Sequence, residues 1–167
     1  SLRRADILVL SKADLAPDYR RIRDLLARIN PRAEIFESIH QPLGFYRLGE
    51  ERLFETQSFK AETVALLSGI ADPASFEALV ERMGIKVGLS FRFADHHPYS
   101  REELTDVFQK TGSRGITRII TTEKDASRII SLGLSEAGIA LFVLRISLKI
   151  IDYEERFRDR LLKLYPL

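Results

Sequence analysis

Apolar and polar positions along this chain switch between a period of about two and a period of about 3.6, and the switches predict its elements. Residues 6–10 form a short apolar run with Ile7 and Val9, bounded by Ser11-Lys12-Ala13-Asp14, and read as a buried strand. Tyr19, Ile22, Leu25, Leu26 and Ile29 then share one helical face, which Asn30-Pro31 stops. Residues 34–39 are a second strand-like run. From His40 to about Lys60 the periodicity fails: Gly44 and Gly49, mixed charges and scattered aromatics predict an irregular joint or hairpin. Regularity returns with a strand at 63–67, the turn Gly69-Ile70-Ala71-Asp72-Pro73, and a helix through Phe76, Leu79, Val80 and Met83 closed by Gly84. A strand at 86–93, a helix from Ser100 with Leu104, Val107 and Phe108 inward, and a strand at 116–121 follow. A helix with Ala126, Ile129 and Ile130 inward, a strand at 139–146 and an amphipathic helix at 153–164 complete the chain.

Such alternation with short connections predicts an α/β fold, a mostly parallel sheet with helices on both faces. The expected division is a strand-helix-strand at 1–40, a joint at 41–61 and a C-terminal α/β domain at 62–167. Exposed apolar residues are expected at the joint around Leu43, Phe45, Tyr46 and Leu48, facing a missing lobe rather than a membrane.

Composition narrows the picture. At 167 residues, 45% hydrophobic and 30% charged, the chain is long enough for one good core. A formal net charge of +2 is too small to argue for nucleic acid. The absence of cysteine excludes disulfides, thiolate metal sites and a cysteine nucleophile. No apolar run approaches the roughly 18 residues of a membrane span. The start at Ser1-Leu2-Arg3-Arg4, with the only methionine at Met83, suggests a truncated or processed product.

In a parallel sheet, strand-to-helix turns emerge at the carboxyl edge, where open α/β folds bind ligands. Four such turns carry unusual polar residues: Ser11 to Asp14 with Lys12, Gly69 to Asp72, Asp95-His96-His97, and Thr121 to Asp125 with Thr122, Glu123 and Lys124. Each has a structural reading as well. Asp72 before Pro73 has the form of an N-cap, Ser100-Arg101-Glu102-Glu103 that of a capping box, and Thr122 to Asp125 that of a looser box. Lys124 stands out, because a lysine in the first turn opposes the helix dipole and suits an anion. His96 and His97 are two of only three histidines, and a carboxylate beside an imidazole can fix its tautomer for proton transfer. Only His40 remains as a further imidazole, and metal-ligand spacings are missing. Ser11-Lys12-Ala13-Asp14 resembles the Asn-Lys-x-Asp base-reading turn of P-loop GTPases with Ser11 in place of asparagine, yet the chain has no Gly-x-x-x-x-Gly-Lys-Ser/Thr loop.

Taken in order, Gly69 to Pro73 with Phe76, Phe93 to Tyr99, and Thr122 to Ala126 resemble the C-terminal half of tetraacyldisaccharide 4′-kinase. The resemblance covers roughly residues 2–146. It implies an ATP- and Mg²⁺-dependent kinase of the 4′-hydroxyl of the lipid A disaccharide precursor, cytoplasmic and peripheral to the Gram-negative inner membrane. It also implies that the P-loop, the metal-binding groups and the carboxylate base lie on an N-terminal half absent from this sequence. The chain alone is then expected to be inactive, with no cofactor bound. By the same resemblance, Asp95 and His96 are catalytic, with His96 the partner of that base, and His97 sits where other residues are tolerated. Lys12 and Asp14 would lie near the nucleotide base, while Gly69, Asp72, Thr122, Glu123, Lys124 and Asp125 would shape the cleft. The alternatives are a DHH-type metal phosphoesterase, which needs further aspartates, and a non-catalytic α/β interaction domain.

Overall fold

The computed structural model describes residues 2–15, 18–133 and 138–164; Ser1, on which the reading of a truncated start rests, lies outside them. In chain order the elements are β1 (Ile7–Leu10), α1 (Tyr19–Ile29), β2 (Glu34–Arg47), β3 (Leu53–Phe54), β4 (Thr63–Ser68), α2 (Pro73–Arg82), β5 (Lys86–Arg92), α3 (Arg101–Ser113), β6 (Arg118–Thr122), α4 (Glu123–Ile129), β7 (Ala140–Ile150) and α5 (Glu154–Leu164). The fold is mixed α/β with mostly parallel strand pairs. Two compact units result, Ser1–Gln41 with Ser147–Leu167, and Pro42–Ile146.

In the first unit, β1 pairs in parallel with the start of β2, from Ile7 opposite Glu34 to Leu10 opposite Glu37, with α1 as the crossover. Asn30 ends α1 as the sequence predicts. Its buried amide donates to the carbonyls of Leu2 and Ala5 at 2.9 and 2.8 Å and accepts from the amides of Arg32 and Ala33. Helix α5 belongs to this unit and not with residues 62–146 as the sequence-based division has it. The reason is chemical: Arg156 and Arg160 both meet Glu34, and Phe157 stands edge-on to Phe36 at 5.0 Å.

In the second unit, β4 is flanked by β5 on one side and β6 on the other, and β7 lies beyond β6, all parallel. Successive β4 side chains point to opposite faces. Val64 and Leu66 join Phe76, Leu79 and Val80 of α2 in one buried cluster. Ala65 and Leu67 join Leu104, Val107 and Phe108 of α3 and Ile129 of α4 in the other. Gly84 follows α2 at φ +79, the left-handed turn that glycine makes without strain.

The expected joint is more ordered than its composition suggests. β2 continues to Arg47 and meets β3 antiparallel, Phe45 opposite Phe54 and Tyr46 opposite Leu53. Phe45 is therefore not an exposed apolar residue: it is fully buried, 4.2 Å from the ring of Phe59. Leu43 does remain exposed, while Tyr46 and Leu48 are half-buried.

Candidate functional site

The order β7-β6-β4-β5 contains a reversal. The connection from β4 through α2 leads outward to β5, and the connection through α3 returns past β4 to β6 on its other side. Right-handed crossovers then put α2 and α3 on opposite faces. Beyond the carboxyl ends of β4 and β6 the turns part to either side, the place where such sheets form a crevice. There the turn after β4 meets the turn after β6.

Asp125 ties them together. Its side chain is fully buried, yet its carboxylate accepts from the Gly69 amide at 3.2 Å, the Thr122 hydroxyl at 2.7 Å and the Arg128 guanidinium at 3.2 Å. Three donors are what a carboxylate needs to stay in so dry a place. Thr122 also accepts from the Asp125 amide, so the residue that caps α4 helps hold its buried anion. Gly69 is required by space: a Cβ there would stand 2.8 Å from the Tyr99 hydroxyl, 3.1 Å from the Ala94 carbonyl and 3.2 Å from Asp125 Oδ1. The Tyr99 hydroxyl is buried with no hydrogen-bond partner among the described residues. Burial first, and the charge of Asp125 second, push it above the ordinary phenol range.

Arg128 carries the connection outward. While one guanidinium nitrogen meets Asp125, Nη2 lies 2.8 Å from His96 Nδ1. His96 is left-handed at φ +61, and its amide donates to the Gly69 carbonyl at 3.1 Å. Its ring is largely exposed, with Nε2 3.8 Å from Asp95 Oδ2. Gly69, Asp95, His96, Thr122 and Asp125 thus form one connected group. Arg128, which joins them, escaped the sequence reading. Its signal is the spacing of three from Asp125 on a helix, a pattern common to many surface ion pairs.

His97 turns away from His96: its Nε2 is 3.0 Å from Glu103 Oε1, and its ring lies 4.7 Å from that of Phe93. The capping box accounts for the rest of Glu103, which accepts from the Ser100 amide while Ser100 accepts from its own. That backbone bond first, and His97 second, hold the Glu103 carboxyl below its ordinary range. Asp72 caps α2, accepting from the amide and hydroxyl of Ser75. Glu123 pairs with Arg145 at 3.1 Å, beside an open cavity of about 320 Å³ also lined by Tyr46, Leu48 and Ile130. Lys124 is exposed one residue further on. Lys12 and Asp14 belong to the first unit, in a turn where Lys12 is left-handed at φ +56 and the Ala13 amide donates to Ser38. Next to them, His40 has a pKa lowered by burial first and by the Lys12 charge second.

Comparison with known proteins gives concordant matches. Residues 1–165 match the family described as Tetraacyldisaccharide-1-P 4'-kinase. A tetraacyldisaccharide 4'-kinase of Anaeromyxobacter dehalogenans (strain 2CP-C) is 33% identical over 153 residues, 90% of this chain and 40% of that protein. The enzyme of the same name from Syntrophobacter fumaroxidans is 30% identical over 128 residues, 77% of this chain and 34% of the relative. The chain therefore spans well under half the length of these relatives. Among solved structures, an "apo" form LpxK from Aquifex aeolicus in complex with ATP aligns at a TM-score of 0.47 and 19% identity, covering 96% of this chain and 52% of that one.

Proposed function

The chain belongs to the tetraacyldisaccharide-1-P 4'-kinase family, and from that membership we propose that it is the C-terminal portion of an ATP-dependent kinase acting on the 4′-hydroxyl of the lipid A disaccharide precursor. The observation that carries the reading is the group Asp125-Arg128-His96, which presents an imidazole at the carboxyl edge of β4 and β6. Phosphoryl transfer asks a protein mainly for positioning and charge stabilisation, with one group to receive the hydroxyl proton. ATP supplies the phosphoryl group. In this reading His96 orients a carboxylate that takes the sugar proton and that lies in the longer protein, and Asp95 flanks the imidazole. Gly69, Thr122 and Asp125 hold the turns in register, and Glu123 and Lys124, in the first turn of α4, are the candidates to orient the cleft or meet phosphate.

Among the described residues no three His, Asp or Glu side chains are grouped to hold a metal, and Mg²⁺ in a phosphoryl-transfer site needs only one or two carboxylates beside the nucleotide phosphates. In the family reading the metal is held with the nucleotide by the N-terminal P-loop lobe, the expected partner of this piece. Lys12 and Asp14 are the candidates for contact with the nucleotide base. Among the described residues no helix is long and apolar enough to cross a membrane, and the proposed location is the cytoplasmic surface of the inner membrane, reached through the longer protein. The divergent partners of His96 and His97 weigh against the phosphoesterase alternative, which needs convergent imidazoles.

Kinetics of the full-length enzyme test the reading. His96→Ala should lower kcat by on the order of 10² to 10⁴, and an unchanged kcat would reduce His96 to a turn residue. The 167-residue chain alone should hydrolyse no ATP, because its sequence has no phosphate-binding loop; nucleotide turnover by a pure preparation would overturn that part.

A further inference from the structure

Resting on the kinase reading above, we propose that Arg128 is a positioning residue that fixes the tautomer of His96, making the neutral ring a donor through Nε2. Guanidinium has five N–H donors and no acceptor, and it stays protonated. With Arg128 Nη2 at 2.8 Å, His96 Nδ1 must be the lone-pair nitrogen, and the single proton of a neutral imidazole then sits on Nε2. Among the described residues Asp95 is the carboxylate paired with that nitrogen, its Oδ2 3.8 Å from Nε2.

The arrangement is held from behind. Asp125 is fully buried, is anchored by the Gly69 amide and the Thr122 hydroxyl, and aims Arg128 through its second oxygen. The His96 backbone is pinned as well, in a left-handed conformation that non-glycine residues rarely adopt, by the hydrogen bond its amide donates to the Gly69 carbonyl. One residue, Gly69, thus sets both the carboxylate that aims the guanidinium and the backbone that carries the imidazole. For the reaction this means that His96 takes no proton from the sugar hydroxyl at Nε2, because that nitrogen already carries one. It orients the accepting carboxylate by donating a hydrogen bond.

Nitrogen-15 spectroscopy of the histidine-labelled full chain, above the ordinary histidine titration range, reads the tautomer directly. The expected result is a single Nε2–H form of His96 with the Nδ1 resonance of a hydrogen-bonded acceptor. A wild-type Nδ1–H form, or an Nδ1 resonance typical of an unbonded ring, overturns the proposal without any variant. Arg128→Met should admit a measurable share of the second tautomer and shift Nδ1, while Arg128→Lys, which keeps a donor, should restore the wild-type spectrum. Identical wild-type and Arg128→Met spectra would also overturn it. In the longer kinase, Arg128→Met should lower kcat on the order of 10²-fold, the cost of a misplaced group, with KM for ATP unchanged. A lost tautomer with unchanged kcat refutes the positioning role. A wild-type tautomer as expected, in an enzyme indifferent to His96→Ala, refutes the kinase reading of the site and leaves the tautomer assignment standing.

Discussion

Gly69 and Asp125 carry more of the site than their size suggests, because each serves two turns at once. The room that a Cβ would need at Gly69 is taken by the Ala94 carbonyl, which is backbone, and by Tyr99 and Asp125, which are buried. Gly69→Ala should therefore cost about 1–3 kcal/mol, as overpacking generally does, and urea denaturation should show a lowered midpoint with an unchanged slope. A midpoint equal to wild type would mean that the turn relaxes freely. At this scale the sequence was partly legible. Asp72, Ser100 and Thr122 have the form of caps, and each makes its cap bond. Arg128 was not legible, since its ring contact is 32 residues away along the chain and depends on the left-handed turn of His96.

Helix α3 shows how one carboxylate can join an element to its neighbour. Glu103 closes the capping box on Ser100 and also holds His97. Its folded pKa is depressed, so its contribution is fully present above the ordinary carboxylate value and is lost as pH falls through the folded one. Glu77, held down first by Arg92, has the same sign. Melting temperature followed from pH 7 to 3 should fall below the ordinary carboxylate range, and Glu103→Gln with Glu77→Gln should flatten that fall. A double variant with the wild-type acid profile would exclude both groups as its source. The turn signals that open α2, α3 and α4 were readable because capping is local: donor and acceptor are three residues apart. The continuation of β2 to Arg47 was not, since it depends on Phe45 finding Phe59 and Phe54 finding its partner strand.

At the scale of the molecule, the two compact units invite separate tests. Phe157→Ala removes the edge contact with Phe36 in the first unit and should cost on the order of 2 kcal/mol for a half-buried ring. Hydrogen exchange should then show lost protection at β1 and at Glu34 to Glu37, with β4 and β6 unchanged. An equal loss in both would mean that they unfold as one. The sequence by itself determined the alternation of strands and helices, the mostly parallel sheet, the caps and the family likeness, because periodicity, capping and motif order are properties of near neighbours in the chain. Only the tertiary structure decided that α5 joins the first unit, that Phe45 is core, and that Arg128 links Asp125 to His96. Those outcomes depend on which distant side chains the strand order brings within hydrogen-bond or van der Waals reach, and the pattern along the chain does not encode that order.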